Sequence, residues 1–184
     1  MLFPIVATII YVPSVIFKIN PVIMYNYSQI CFNALILYSR FNWTKKTTIA
    51  LYYVNKYYDL FDSIIMLMNK KYNQLTFLHW HHHILQIWVW YIIFNTLDNS
   101  SALFSAFMNS AIHALMYLYY TVCLTNYKIY AKYVKKYLTM LQIFQFIVLV
   151  GHGILLLGKV PLHLSLLEIG VCMDMFFHFK MLLN

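Results

Sequence analysis

Seven apolar runs separated by short gaps occupy almost the whole of this chain. Most approach the roughly 20 residues that a helix needs to cross the hydrocarbon of a bilayer. Backbone polar groups in lipid must be satisfied within a helix or a closed barrel, and no strand-length alternation appears, so the runs predict helices. The first run lacks a charged leader and a cleavage site, which favours a span over a signal peptide. The predicted spans are residues 2–17, 21–39, 47–68, 75–95, 101–124, 138–158 and 160–183, in a single membrane domain over residues 1–184.

Composition and charge exclude an ordinary soluble domain. Hydrophobic residues make up 62% of the 184 and charged residues only 10%, whereas soluble domains are about 45–50% apolar. The formal net charge is +8, but the basic residues lie in the gaps between runs, which indicates topology and lipid-headgroup contacts rather than nucleic acid binding. The larger share of lysines lies on the side of the membrane that carries the C-terminus, which predicts a cytosolic C-terminus and an N-terminus on the opposite side.

Four histidines, His79, His81, His82 and His83, lie within the fourth run. Ionisable side chains are costly at membrane depth and mark functional sites by default. Counted at about 1.5 Å per residue from the cytosolic lysines, polar residues of four runs lie roughly 9–17 Å inside the membrane, and His113 lies about 22 Å inside. These polar residues are Asp59, Asp62, His79, His82, Tyr117, Tyr120, Gln142 and Gln145. Because polar groups in hydrocarbon must face one another or a cavity, we predict one polar chamber that opens to the cytosol.

Four motifs on four of the predicted helices follow one another in a recognisable order. Residues 56–63 read KYYDLFDS, residues 79–83 HWHHH, residues 113–120 HALMYLYY and residues 139–145 TMLQIFQ. They resemble the Lys-x-x-Glu-x-x-Asp-Thr, His-x-x-His-His, His-x-x-Met-Tyr-x-Tyr-Tyr and Thr-x-x-Gln-x-x-Gln boxes of the very-long-chain fatty acid elongases, the ELO family. Residues 25–29, YNYSQ, are similar to the family's Tyr-Asn-x-x-Gln. The resemblance covers nearly the whole chain.

The resemblance implies both an architecture and an activity. The family fold has seven transmembrane helices, six of which form a barrel around an acyl tunnel, in the membrane of the endoplasmic reticulum with a lumenal N-terminus. The implied activity is that of a very-long-chain 3-oxoacyl-CoA synthase, which joins a long-chain acyl-CoA and malonyl-CoA to give 3-oxoacyl-CoA, carbon dioxide and CoA. No cofactor, metal or nucleic acid is implied. The implied partners are membrane lipid and the ketoacyl-CoA reductase, dehydratase and enoyl-CoA reductase of the elongation cycle, and a homodimer is compatible with it.

The resemblance also assigns roles to individual residues. His82 is expected to attack the thioester and form an acyl-imidazole, and His113 to bind the malonyl group and steady the enolate. His79 and His83 are expected to be oriented by Asp59 and Asp62. The expected substrate-binding residues are Lys56, Asp59, Asp62, Asn109, Tyr117, Tyr120, Gln142 and Gln145. In this sequence Asp59 stands where the family motif has Glu, which shortens that side chain by one methylene.

The lysines of the cytosolic gaps have two competing interpretations. Lys70, Lys71, Lys135 and Lys136 are candidates for contacts to the CoA phosphates, because ammonium groups form charge-assisted hydrogen bonds with phosphate. The same lysines are also expected from the positive-inside rule alone.

Two other functions use similar features. Membrane di-iron desaturases and hydroxylases contain His-x-x-His-His, but two irons need many neutral nitrogen ligands. Outside the cluster this chain offers only His113, His152, His163 and His178, none paired at ligand spacing. A non-catalytic membrane protein that binds lipid in the chamber is the other alternative.

Overall fold

The computed structural model describes residues 20–68, 70, 77–96, 101–125, 128–160, 162–163, 165–167 and 169–173. Regular secondary structure within these ranges is α-helical, in agreement with the predicted all-α class. The predicted span 2–17 and much of 160–183 lie outside the described residues, so the seven-helix barrel stays a prediction.

Residues 162–163, 165–167 and 169–173 are helical. Five longer helices precede them. They are α1 (Pro21–Asn42), α2 (Lys45–Met68), α3 (Phe77–Asn95), α4 (Ala102–Cys123) and α5 (Lys128–Leu155). The first four begin and end within a few residues of predicted apolar runs. Helix α5 instead begins upstream of its run, which was predicted to start at Leu138. Lysine and tyrosine are tolerated in helices, so the helix continues through the exposed Lys135 and Lys136 although the sequence there is no longer apolar.

The start of α1 and its link to α2 are set by local side chains. The Asn20 side chain accepts a hydrogen bond from the Val22 backbone N–H at 2.9 Å, ahead of Pro21 at the first helical position, as is typical of a capped start. After α1 ends, the Thr44 hydroxyl accepts a hydrogen bond from the Thr47 N–H at 3.3 Å and so opens α2. Because only two residues separate these helices, the chain reverses direction between them.

Helices α2 and α4 occupy the centre of the packing. Helix α1 packs chiefly against α4, α2 also contacts α1, α3 and α4, and α5 packs against α4. A buried cluster from the first four helices holds them together at one end: Ile36, Ile49, Tyr52, Trp90 and Ala106.

Two helical segments in the described part of the chain are long and apolar enough to cross a membrane by themselves, Ala102–Cys123 and Val134–Leu155. Helix α2 does not reach that mean hydropathy because it carries charged residues, among them the buried Lys56, Asp59 and Asp62. The outer surface of the described helices is apolar, as expected for contact with lipid. It exposes large side chains, including Trp88, Tyr137, Phe144, Ile147 and Ile154.

A tight turn follows α5, as the glycine and proline of this gap predict. Gly158 has φ +82°, which is accessible to glycine but strained for other residues. The Lys159 N–H donates to the Leu156 carbonyl at 2.9 Å. The turn directs the chain back toward the helices, where residues 171 and 172 line the cavity described below.

Candidate active site

A buried ion pair lies at the centre of the helices. Lys56 Nζ is 3.0 Å from Asp59 Oδ2, and the two side chains are 3% and 1% exposed. Lys56 Nζ also donates to Asn109 Oδ1 at 2.9 Å and lies 4.4 Å from the centre of the Tyr52 ring. The Tyr52 hydroxyl donates to the same Asn109 oxygen. An isolated charge in a low-dielectric interior is strongly disfavoured, and here the pairing compensates it.

Helix α1 presents a buried polar face to this pair. Tyr25, Gln29 and Asn33 follow one another at intervals of four residues, which places them on one side of the helix. Gln29 Nε2 donates to Asp59 Oδ1 at 3.2 Å and to the Tyr25 hydroxyl at 2.8 Å. Asn55 Nδ2 donates to Asn33 Oδ1 at 3.4 Å. Polar residues of α1 therefore donate to and accept from polar residues of α2.

Tyr117 joins the two carboxylates of α2. Its hydroxyl lies 2.7 Å from Asp62 Oδ2 and 3.4 Å from Asp59 Oδ1, and its ring meets that of Tyr25 edge to face at 5.9 Å. A phenol carries one proton, so the shorter contact to Asp62 is the stronger hydrogen bond. We call this set the buried polar network: Tyr25, Gln29, Lys56, Asp59, Asp62 and Tyr117.

The imidazoles lie next to this network. The rings of His82 and His83 are 5.4 Å apart between centroids, and the ring of His113 is 6.1 Å from that of Tyr117. The Nδ1 atoms of His82 and His113 are buried and have no hydrogen-bond partner among the described residues. Both residues line the cavity.

One elongated cavity of about 260 Å³ runs between the helices. The lining residues of α4 extend from Ala102 to Tyr120, which corresponds to about 27 Å of helix. One part of the wall is polar and contains Asp62, His82, His83, His113, Tyr120, Gln142 and Gln145. The other part is mainly apolar and contains Ile93, Ala102, Leu149, Leu156, Val160 and Val171. The shape and lining suit a ligand with a polar, reactive head and a long hydrocarbon chain.

The structure brings most of the predicted site residues to this cavity. Those that line it are Asp62, His82, His83, Asn109, His113, Tyr120, Gln142 and Gln145. Lys56 and Tyr117 lie behind the wall, hydrogen-bonded to the lining residues Asn109 and Asp62, and Asp59 contacts both of them. Lys70, Lys135 and Lys136 are exposed and do not line the cavity. Lys71 and the side chain of His79 lie outside the described residues. The predicted roles of all these residues stay predictions.

The two carboxylates of α2 accept hydrogen bonds from residues of the buried polar network. Asp59 accepts from Lys56, Gln29 and Tyr117, and Asp62 accepts from Tyr117. The expectation that they orient His79 and His83 stays a prediction, since the side chain of His79 is not described.

Sequence reasoning assigned no role to four residues that the structure places in or beside the site: Gln29, Tyr52, Gln86 and Trp90. Gln86 was detectable, because it follows His82 by four residues and so shares its helix face. Gln29 lies on a separate helix, and its contact with Asp59 depends on tertiary packing.

Within the described part of the chain, no three histidine, cysteine, aspartate or glutamate side chains are grouped closely enough to hold a metal ion.

Comparison with known proteins shows what the chain is similar to. The model of the ELO family, described as the GNS1/SUR4 family, matches residues 1–179. The chain is 39% identical to very long chain fatty acid elongase 7 of Rattus norvegicus over 107 residues, 57% of this chain and 38% of that protein. It is 32% identical to fatty acid elongase 5 of Leishmania major over 150 residues, 73% of this chain and 59% of that protein. It is 41% identical to very long chain fatty acid elongase 4 of Macaca mulatta over 103 residues, 55% of this chain and 32% of that protein. The chain thus spans less than two thirds of the length of each of these relatives.

Proposed function

The chain belongs to the ELO family of membrane proteins, and from that premise we propose that it is a condensing enzyme of fatty acid elongation. The reaction joins a long-chain acyl-CoA and malonyl-CoA to give 3-oxoacyl-CoA, carbon dioxide and CoA. The observation that carries the proposal is that two imidazoles from different helices, His82 and His113, line the polar part of one elongated cavity whose other part is apolar.

The first step transfers the acyl group to His82. The Nε2 lone pair attacks the thioester carbonyl, an N–C bond forms, the C–S bond breaks, and CoA leaves as a thiolate that takes up the imidazolium proton. The hydrocarbon chain lies against Ile93, Ala102 and Leu149 in the apolar part of the cavity. Exclusion of water protects the acyl-imidazole from hydrolysis until the second substrate arrives.

The second step forms the carbon–carbon bond. Malonyl-CoA loses carbon dioxide, the resulting thioester enolate attacks the acyl carbon, and the N–C bond to His82 breaks. The departing imidazole nitrogen takes up one proton from the medium, the proton that the overall reaction consumes, and the free imidazole is restored. His113 and the buried amide N–H groups of Gln145 are the donors proposed for the enolate oxygen. Gln145 is 2% exposed, and its Nε2 has no partner among the described residues, so these donors are preorganised for a developing negative charge.

The buried polar network serves as the support of this site. Lys56 neutralises Asp59, while Tyr117 fixes Asp62, whose side chain lines the cavity beside the imidazoles. Hydrogen bonds between these residues limit the movement of the cavity wall. The geometry of a site depends on residues that hold its lining side chains in place.

The proposed setting follows from topology and from the family. We place the protein in the endoplasmic reticulum membrane with a lumenal N-terminus and a cytosolic C-terminus, in reach of the other enzymes of the elongation cycle. Lys70, Lys71, Lys135 and Lys136 then lie on the cytosolic side, where the CoA phosphates approach. No metal or cofactor is required by the proposed steps.

The test is condensation by the purified full chain in lipid nanodiscs, with radiolabelled malonyl-CoA and a panel of acyl-CoA thioesters. We expect labelled 3-oxoacyl-CoA with the wild-type protein and none with His82→Ala. The matched control is His163→Ala, because His163 is exposed and does not line the cavity. Condensation by a folded His82→Ala protein would reject the covalent role of His82, and lack of turnover by the wild type with every chain would reject the synthase.

A further inference from the structure

One level of the cavity wall consists of two amides and two aromatic rings, which we call the amide collar: Tyr52, Gln86, Trp90 and Asn109. All four residues line the cavity. The Tyr52 and Trp90 rings pack edge to face with centroids 4.2 Å apart. Each ring holds one amide, because Trp90 Nε1 donates to Gln86 Oε1 at 2.9 Å and the Tyr52 hydroxyl donates to Asn109 Oδ1. The amide collar is therefore one connected unit built from three helices.

The donors that hold the amides also fix their orientation. The indole N–H of Trp90 and the ammonium of Lys56 can only donate, so the amide atoms that they contact must be oxygens. In both Gln86 and Asn109 the amide oxygen thus accepts a hydrogen bond, and the NH2 group is the part of the amide that can still donate one. Among the described residues neither NH2 group has an acceptor. The collar consequently offers two oriented hydrogen-bond donors.

The collar lies beyond the imidazoles, on the side of the apolar part of the cavity. Gln86 follows His82 by four residues, and Asn109 precedes His113 by four. Because the chain reverses between α3 and α4, Gln86 and Asn109 are displaced from His82 and His113 in the same direction. The displacement is about 6 Å along the helix axes. An acyl chain attached at His82 and directed toward the apolar part must pass the collar within its first few carbons.

We propose that the amide collar selects acyl chains that carry a hydroxyl or keto oxygen at this level over chains that are hydrocarbon there. This inference rests on the proposed function, since it names a class of acyl-CoA for the same site. A buried donor that faces hydrocarbon stays unsatisfied, whereas an oxygen at the same place satisfies it. Sites built to bind a hydroxyl discriminate against analogues that lack it more strongly than apolar walls discriminate by size.

The experiment measures binding of CoA thioethers, which cannot react, to the full chain in lipid nanodiscs by titration calorimetry. The ligands are octadecyl-CoA and a series in which one hydroxyl moves carbon by carbon away from the sulfur. We expect one position near the sulfur to bind about fivefold tighter than the plain chain, the gain typical of a net hydrogen bond. Gln86→Leu removes one of the two donors and should reduce that preference. Trp90→Phe, which releases the Gln86 oxygen, should weaken it.

The matched control is Trp88→Phe, the same substitution on the same helix at an exposed position, which should keep the full preference. Equal affinities across the wild-type series would overturn the proposal, as would a preference of undiminished size in Gln86→Leu. Should the leucine variant fail to fold, Gln86→Met and Trp90→Phe give the same readout.

Turnover of plain octadecanoyl-CoA with malonyl-CoA, measured on the same samples, tests the proposed function separately. Turnover together with a flat hydroxyl series would reject the amide collar as a selector and leave the synthase standing. Position-dependent binding without turnover of any chain would reject the synthase and leave the collar standing.

Discussion

The buried polar network and the polar wall of the cavity consist of similar side chains, but they differ in hydrogen bonding. In the network, hydrogen bonds join Lys56, Asp59 and Tyr117. Among the network's buried polar side-chain atoms, only Gln29 Oε1 lacks a partner within the described residues. In the wall, His82 Nδ1, His113 Nδ1 and Gln145 Nε2 are buried without a partner among the described residues. A satisfied buried network stabilises a fold, whereas an unsatisfied polar group lowers stability unless a ligand completes it. The difference separates residues that stabilise the site from residues whose polar groups are left for a substrate. Three predictions test it, and a fourth concerns residues outside both regions.

The largest expected effect is on the stability of the network. Lys56→Met removes the cation and leaves Asp59 as an uncompensated buried carboxylate, so we expect a loss of about 3–5 kcal/mol of unfolding free energy. The measurement is thermal unfolding and the yield of monodisperse protein in detergent. Lys159→Met, at an exposed lysine, is the matched control and should behave as the wild type. The double variant Lys56→Met with Asp59→Leu should recover stability, and no recovery would show that the pair is not the source of the loss.

The next effect separates function from stability in the wall. Gln145→Met removes an unpartnered donor, so we expect condensation to fall by about a hundredfold or more, as when one donor to a developing oxyanion is lost. Its melting temperature should stay unchanged or rise, since no hydrogen bond to a described residue is broken. Gln29→Met is the comparison, because it takes a donor from Asp59 and should lower the melting temperature. If the melting temperature falls equally in Gln145→Met and Gln29→Met, the wall and the network do not differ in their contribution to stability.

Tyr117→Phe tests the hydrogen bond that joins the two carboxylates. The ring packing against Tyr25 is kept while the donor to Asp62 is lost, so we expect destabilisation of about 1–3 kcal/mol, the cost of leaving a buried acceptor unsatisfied. Thermal unfolding measures it against Tyr137→Phe, at a tyrosine that is 68% exposed. Equal stability of the two variants would mean that the Tyr117 hydroxyl contributes nothing to the network.

The smallest effect concerns the exposed lysines outside both regions. If Lys135 and Lys136 meet the CoA phosphates, the double substitution to glutamine should raise KM for acyl-CoA about threefold at low salt with kcat unchanged, since exposed charges interact weakly. The increase should shrink as ionic strength rises. An unchanged KM would leave these lysines with topology and lipid contact as their roles, and Lys159→Gln controls for a general loss of charge.

The sequence named residues of both regions, including Asp59, Asp62 and Tyr117 of the network, but not the contacts that join them. Helical rise, counted from the basic gaps, predicts the depth of a residue in the membrane, and that count alone puts His82, His113 and Gln145 at related levels. The partners of Asp59 could not be predicted in this way, since Gln29 contacts it only because α1 packs against the helices that carry the site. The apolar run predicted a start at residue 138, whereas α5 begins at Lys128. Apolar residues indicate where a helix enters lipid and not where the helix itself begins.

The central proposal is the covalent role of His82. Its most direct test is mass spectrometry of the protein incubated with an acyl-CoA and no malonyl-CoA. We predict that one acyl group is added per chain, on the peptide containing His82, and that an equal amount of CoA is released. Malonyl-CoA added afterwards should remove the acyl group from the protein as 3-oxoacyl-CoA. Condensation that proceeds with no acyl adduct at His82, or an adduct at His82 that malonyl-CoA does not discharge, would contradict it.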